Sequence, residues 1–458
     1  MKGSMTQGNP LPQILKFTLP LFLGNVFQQF YNMVDSVIVG KYVGPDALGA
    51  VGATGTVFFL IIGLANGMTT GYTVLTSQKY GANNLEGAKK SFGNGIVLSI
   101  FTIIALTFLS VVFMHPILKV MNTPDNIYAD AYSYIITIAW GIVALVFYNF
   151  FAATMRAIGD SRTPLFFLIF SALLNIVLDL VFIVKFNLGT MGAALATDLS
   201  QGASAVLCCI YIFAKVDAIR PKPEHFRPKK SYIGKQLWMG IPMGLQFGIT
   251  ASGTMVMQAA INMFGSVAVT GFTAASKVQN LMTQGMLSLG QTMAAYSGQN
   301  YGYGSIDRVD KGTKDAMKIA VVYSITSAVL CVLLLPLLMG LFFDANTDIG
   351  TYMPYARIYV YESVICYVPL SMIFVYRNTM QGCGYSMTAM MLGVMELVAR
   401  LITAFLSMAV HSYPLAAGAD PMAWITAGVV AYFLYKKVLR KLREKMSSNE
   451  NNSEGQPA

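Results

Sequence analysis

The sequence predicts an all-α integral membrane protein: twelve transmembrane helices in two pseudo-symmetric six-helix bundles. Three observations lead there. Of 458 residues, 55% are hydrophobic and only 11% charged, against about 25% charged in soluble domains. Apolar runs of bilayer-crossing length, about 20 residues, recur along the whole chain. Polar landmarks of the first half return in the second at offsets of 221 to 225 residues: Pro20 and Pro242, Gln78-Lys-Tyr-Gly81 and Gln299-Asn-Tyr-Gly302, Arg156-Ala-Ile-Gly-Asp-Ser161 and Gln381-Gly-Cys-Gly-Tyr-Ser386. Six spans per half is an even number, so the halves share one orientation and form parallel repeats.

The spans read 12–39, 48–76, 92–113, 129–154, 164–186, 190–214, 236–263, 267–296, 315–343, 353–378, 387–410 and 414–439. This gives a first lobe at 1–214, a polar linker at 215–235, a second lobe at 236–440 and a disordered tail at 441–458. In the first span Asn25, Gln28, Asn32 and Asp35 fall within an arc of about 80° at 100° per residue. An Asp within a span costs about 2.5–3.5 kcal/mol on insertion scales, so it marks a functional site. Pro20 removes a backbone hydrogen bond from the same helix and lets it bend.

Lys and Arg set the orientation. Assigning both termini and the even-to-odd loops to one side collects 25 of the 31 basic residues there. The positive-inside rule then puts the termini and the linker in the cytoplasm. The net charge of +10 is thus a topology signal, aided by anionic lipid, and with no RNA- or DNA-binding motif it argues against a nucleic-acid partner.

Intramembrane polar groups should face the bundle interior. In the first half these are Asp35, then Ser171, Asn175 and Asp179 at i, i+4, i+8 on the fifth span, Thr197, Gln201 and Ser204 on the sixth, and Tyr134 and Asn149 on the fourth. Two carboxylates in one low-dielectric pocket can share a proton or bind one Na⁺. The second half is polar but less charged: Gln246, Thr250, Thr254, Gln258 and Asn262 line the seventh span. There Met257 falls opposite Asp35 and Ala404 opposite Asp179. Glu396 and Arg400, four apart, read as a mutually neutralising structural pair, Glu362 as a solvated acid near the outer end, and Asp198, about 100° from Thr197, as a third member of the site or, the favoured reading, an interfacial acid. Lys277 faces a cavity or snorkels. Cys208, Cys209, Cys331, Cys366 and Cys383 lie in apolar runs without ligand spacing, and His115, His225 and His411 fall on different loops, so no metal site or disulfide framework is expected.

Pro20, Gln28-Gln29-Phe-Tyr-Asn-Met-Val-Asp35, Leu48-Gly-Ala-Val-Gly52, Gln78-Lys-Tyr-Gly-Ala82, Arg156-Ala-Ile-Gly-Asp160, Leu174-Asn-Ile-Val-Leu-Asp179 and Gly192-Ala-Ala-Leu-Ala-Thr197 occur in an order and spacing that resembles the MATE (multidrug and toxic compound extrusion) family, over about residues 10–440. The closest resemblance is to bacterial members whose cation site lies in the first lobe. It implies a V-shaped pair of bundles that exports organic cations or amphipathic drugs in exchange for H⁺ or Na⁺ by alternating access. It carries Asp35, Asn175, Asp179 and Thr197 over as the coupling-ion site, Pro20 as the bend, and Gln28 and Asn149 as drug-facing wall. Asn32, Tyr134, Gln246 and Thr250 join that wall on the reading of their spans. The expected protein is a monomer of the bacterial plasma membrane with no cofactor. The alternative is a lipid-linked saccharide flippase of the same superfamily, which would want a cavity rich in Arg and Lys. A membrane enzyme lacks a His cluster, a Ser–His pair or metal-ligand spacing.

Overall fold

The computed structural model describes residues 4–121, 123–340 and 348–454. All regular structure among them is helical. The elements are α1 Pro10–Tyr42, α2 Pro45–Gly81, α3 Leu85–Val120, α4 Asp125–Trp140, α5 Ile142–Ala157, α6 Arg162–Asp179, α7 Gly189–Lys215, α8 Lys230–Asn262, α9 Gly265–Tyr303, α10 Ile306–Gly340, α11 Met353–Ile365, α12 Tyr367–Gly382, α13 Ser386–Val410, α14 Tyr413–Ala417 and α15 Ala419–Glu454. Side chains start some of them: Asn84 accepts from Gly87 N at 2.7 Å to cap α3, and Asp160 accepts from the backbone N–H groups of Arg162 and Thr163 at the start of α6.

Seven helices are long and apolar enough to cross a membrane, and nine spans result when two bent pairs, α4–α5 and α11–α12, are each taken as one. With α1, α8 and α9 these make twelve, in the order read from the sequence. The fourth and tenth spans, expected to be continuous, are instead broken at Gly141 and Cys366 and bent by 49° and 52°. Exposed Phe101, Ile104, Phe108 and Val112 on α3, and Val322, Ile325, Val329 and Leu333 on α10, form apolar rows one turn apart that suit a lipid face.

The chain divides into two compact units, Leu23–Phe247 and Met5–Phe22 with the chain from Gly248 onward. The cuts fall inside α1 and α8, two residues after Pro20 and five after Pro242, and not in the polar stretch 215–235. The first unit has a core around Met114, Leu118, Ile135, Ile142 and Val146, and another where Phe92 stacks on Phe150 at 5.6 Å. In it α2 and α8 meet through two G-x-x-x-G faces. A Cβ on Gly67 would lie 2.4 Å from Met243 O, and one on Gly71 2.4 Å from Gly240 Cα. Small residues here permit backbone contact, the usual basis of tight packing in lipid. The second unit is built around Phe272, Tyr359, Leu335 and Met339, with a further cluster of Met380, Leu392, Tyr435 and Leu439.

The polar linker belongs to the first unit and is strapped onto α3. Asn94 donates to His225 O (3.2 Å) and accepts from Lys229 N (2.9 Å). Lys222 N donates to His225 Nδ1 at 2.9 Å, so the buried ring carries its hydrogen on Nε2, which faces Glu86 Oε1 at 2.8 Å. Glu86, Glu224 and His225 thereby stand within ligand reach of one another, a grouping the scattered histidines did not suggest. The nitrogen facing the carboxylates is the protonated one, so its lone pair is not free for a metal. His115 lies within α3 and His411 ends α13 in the left-handed region, φ 50°. α15 extends to Glu454, well into the stretch expected to be disordered, with an Arg440–Glu444 pair on its exposed face. Residues 455–458 lie outside the described residues.

Candidate functional site

In the first unit α1, α6 and α7 bring Asp35, Asn175, Asp179 and Thr197 together. The helical repeat puts Asn175 and Asp179 on one face of α6, and both are fully buried. The carboxyls of Asp35 and Asp179 face each other at hydrogen-bonding range. Asn175 Nδ2 points at Thr197 Oγ1 (3.5 Å), and the Tyr31 hydroxyl lies beside Thr197. Asp35 Oδ1, both carboxylate oxygens of Asp179 and Asn175 Oδ1 are buried with no hydrogen-bond donor. Two ionised carboxylates only accept, so the contact between them requires something positive or a proton in the gap. Four orphaned oxygens beside a threonine hydroxyl are a hard donor set of the kind that suits H⁺ or Na⁺. Directly after Asp179 the helix widens into a π-helix, Leu180–Lys185, a distortion often found at functional sites.

Of the residues expected along a substrate wall, Tyr134 is buried within electrostatic reach of Asp35, Asp179 and Tyr31. Gln28 and Asn32 are exposed along α1. Asn149 is half-buried on α5, its amide nitrogen turned back onto Leu145 O at 2.8 Å. Gln246 is buried in the first-unit part of α8, while Thr250 lies beyond Phe247 in the second unit. Ser204, on the α7 stripe, donates to Phe167 O at 2.8 Å and ties α7 to α6.

Asp198 is half-buried on α7. Its carboxyl rests on Gly141 at the break of the fourth span, where a Cβ would come within 1.9 Å of it, and it lies within electrostatic reach of Tyr31 and Tyr134. Tyr31 was missed because an aromatic in an apolar span reads as lipid-facing, yet its position one turn before Asp35 was the available signal.

The second unit holds a different constellation. Arg400 does not simply neutralise Glu396. Its Nε donates to Asp420 Oδ1 at 2.7 Å, while Nη1 is 3.5 Å from Glu396 Oε2. Arg377 Nη1 is 3.5 Å from Glu396 Oε1, and the Tyr359 hydroxyl reaches Asp420 Oδ2 at 3.4 Å. Arg400, Glu396 and Asp420 are all at least nine-tenths buried. Asp420 escaped notice because it is 20 residues from Arg400 in sequence, across a turn. Glu362 is half-buried with Oε2 fully enclosed, not a solvated acid, while Lys277 is exposed on α9. The five cysteines are free.

A twice-repeated, multi-spanning helical membrane protein with a buried acidic cluster on its first repeat is the architecture of a secondary transporter. The chain belongs to the MatE family, whose profile it matches twice, over residues 20–181 and 242–406. It is similar to the "Probable multidrug resistance protein YpnP" of Bacillus subtilis, 31% identical over 304 residues (66% of this chain, 68% of that one). It is likewise similar to the "Probable multidrug resistance protein NorM" of Thermotoga maritima, 25% identical over 322 residues (69% of each). Among solved structures, an "Outward-facing conformation of a multidrug resistance MATE family transporter of the MOP superfamily" superposes with TM-score 0.90 at 23% identity, covering 96% of this chain and 99% of that one.

Proposed function

We propose that this protein exports organic cations or amphipathic drugs across a bacterial plasma membrane, both termini cytoplasmic, in exchange for H⁺ or Na⁺. The observation that carries the reading is the Asp35–Asp179 contact with its three donorless oxygens, beside a fourth on Asn175. The coupling ion enters from outside and occupies that contact. Neutralising it removes the cost of two unscreened carboxylates in low dielectric and lets α1 rearrange. Pro20, two residues before α1 passes from one compact unit to the other, is where the helix yields most easily. Ion and drug favour opposite conformations, which is all that exchange requires. The relatives' names support drug as the cargo class. Gln28, Asn32, Tyr134, Asn149 and Gln246, all in the first unit, are the proposed substrate contacts. A flippase for anionic lipid-linked saccharides would need unpaired intramembrane cations, and Arg377 and Arg400 are both committed to carboxylates.

The test is ethidium or norfloxacin efflux from vesicles holding the purified protein, under an imposed pH gradient and, separately, a Na⁺ gradient. One of the two should drive efflux in wild type and neither in Asp179→Asn. Efflux by the variant equal to wild type would remove the mechanism.

A further inference from the structure

The two repeats allow the coupling site to be compared with its own counterpart. The family matches begin at residues 20 and 242, an offset of 222, and end at 181 and 406, an offset of 225. The broken spans agree with the larger offset, since Gly141 and Cys366 are 225 apart. Tyr134 and Tyr359, both buried before the break, are also 225 apart. At this spacing Asn175 corresponds to Arg400, Ser171 to Glu396, Asp179 to Ala404 and Thr197 to Met422. On the first helix of each repeat, where the offset is 222, Asp35 corresponds to Met257 and Tyr31 to Gly253.

The exchange is coordinated. Asp35 and Asp179, the two acids in contact, are replaced by apolar side chains, and Met257 and Ala404 are buried. The amide that offers an oxygen in the first unit becomes a guanidinium in the second. The tyrosine beside the first site becomes a glycine, and the vacated space is where Arg400 lies: a Cβ on Gly253 would be 3.0 Å from its Cδ and 3.2 Å from Nη1. New anions, Glu396 and Asp420, surround the guanidinium, and Tyr359 keeps the tyrosine's place against Asp420. The distortion goes too. The first unit's Leu180–Lys185 is a π-helix, while the corresponding residues 405–410 continue α13 as regular α-helix.

We infer that the second unit carries its cation covalently: the Arg400 guanidinium stands where the first unit takes an exchangeable ion, so the second repeat is a cation site that is permanently filled. Vacating it should leave a pocket for a free, planar organic cation of the guanidinium class, lined by Asp420, Glu396 and Tyr359. The idea that the first unit's cluster takes an exchangeable ion is the function proposed above. The binding test below involves no transport, so its failure and the failure of that reading are separable.

The experiment is thermal unfolding of detergent-solubilised wild type and Arg400→Ala, titrated with millimolar guanidinium chloride against sodium and choline chloride at matched ionic strength. Arg400→Ala should unfold at lower temperature and recover saturably with guanidinium but not with choline. Wild type should show no such rise, because its site is full, and Arg400→Ala/Asp420→Asn should show none, because the principal ligand is gone. Absence of a saturable rise in Arg400→Ala overturns the inference, as does an equal rise in wild type or in the double variant. Should Arg400→Ala not be recovered from membranes, Arg400→Gln takes its place, produced in cells with and without added guanidinium. Recovery improved by guanidinium supports a refillable site, and no improvement overturns it.

Discussion

The carboxyl of Asp198 lies directly on Gly141, so that an added methyl at position 141 would sit 1.9 Å from it. The contact joins α7, one residue past Thr197, to the point where the fourth span breaks by 49°. An acid that neighbours the ion cluster in sequence is therefore the filler of a hinge in another helix.

Gly141→Ala should overpack that hinge, at a cost of about 1–3 kcal/mol. Asp198→Gly in the same chain should recover most of the loss, because the two residues share one volume. A double-mutant cycle on unfolding temperature in detergent reads the coupling, and additive single effects would show that the contact does not constrain the break.

Asp35→Asn and Asp179→Asn should each reduce ion-driven dye extrusion to the level of cells lacking the protein, with protein abundance unchanged. Each leaves one carboxylate facing an amide, which can donate across the contact and so removes the need for an incoming ion. Extrusion in cells loaded with ethidium, normalised to immunoblot, decides it.

Asp420→Ala strands Arg400 with Glu396 as its remaining close anion in a buried setting, a loss of about 3–5 kcal/mol. Glu444→Ala breaks the exposed Arg440–Glu444 pair on α15 and should cost about 0–1 kcal/mol. Unfolding temperatures of the two variants side by side test whether burial sets the difference. Equal shifts would mean the Arg400 network is not load-sharing.

Asn94→Ala removes the side chain that bonds His225 O and Lys229 N. The strap should then be cut faster by trypsin after Lys229 or Lys230, the strap's basic residues in 220–230 that no proline follows, several-fold at matched protease. Unchanged cleavage would show that Gly93, packed against His225 O, and the Glu86–His225 contact suffice to hold it.

Much of the first site was legible because helical periodicity is a strong constraint. A polar residue every three or four positions in an apolar span must face inward, so Asn175 and Asp179 could be placed before any coordinates. Asp420 and Arg400 could not be paired that way, since their contact bridges two helices across a turn and leaves no periodic trace. Gly141 and Gly253 act through the side chains they lack, which a residue-type reading does not register. The break at Gly141 was hidden because no proline marks it, whereas Pro369, three residues past Cys366 and without the N–H that would bond Ile365 O, was an available signal for the other. The repeat itself was legible as an offset, but its meaning for the second unit lay in which side chains had been traded.

The compact units divide the chain within α1 and α8, and this bears on how such a protein could arise or be dissected. A polypeptide ending in the stretch 215–235 would lack the 230–247 segment of its own unit and would keep 5–22, which belongs to the other. A chain divided at the linker would thus part each unit from a helical segment that packs within it, 5–22 on one side and most of 230–247 on the other.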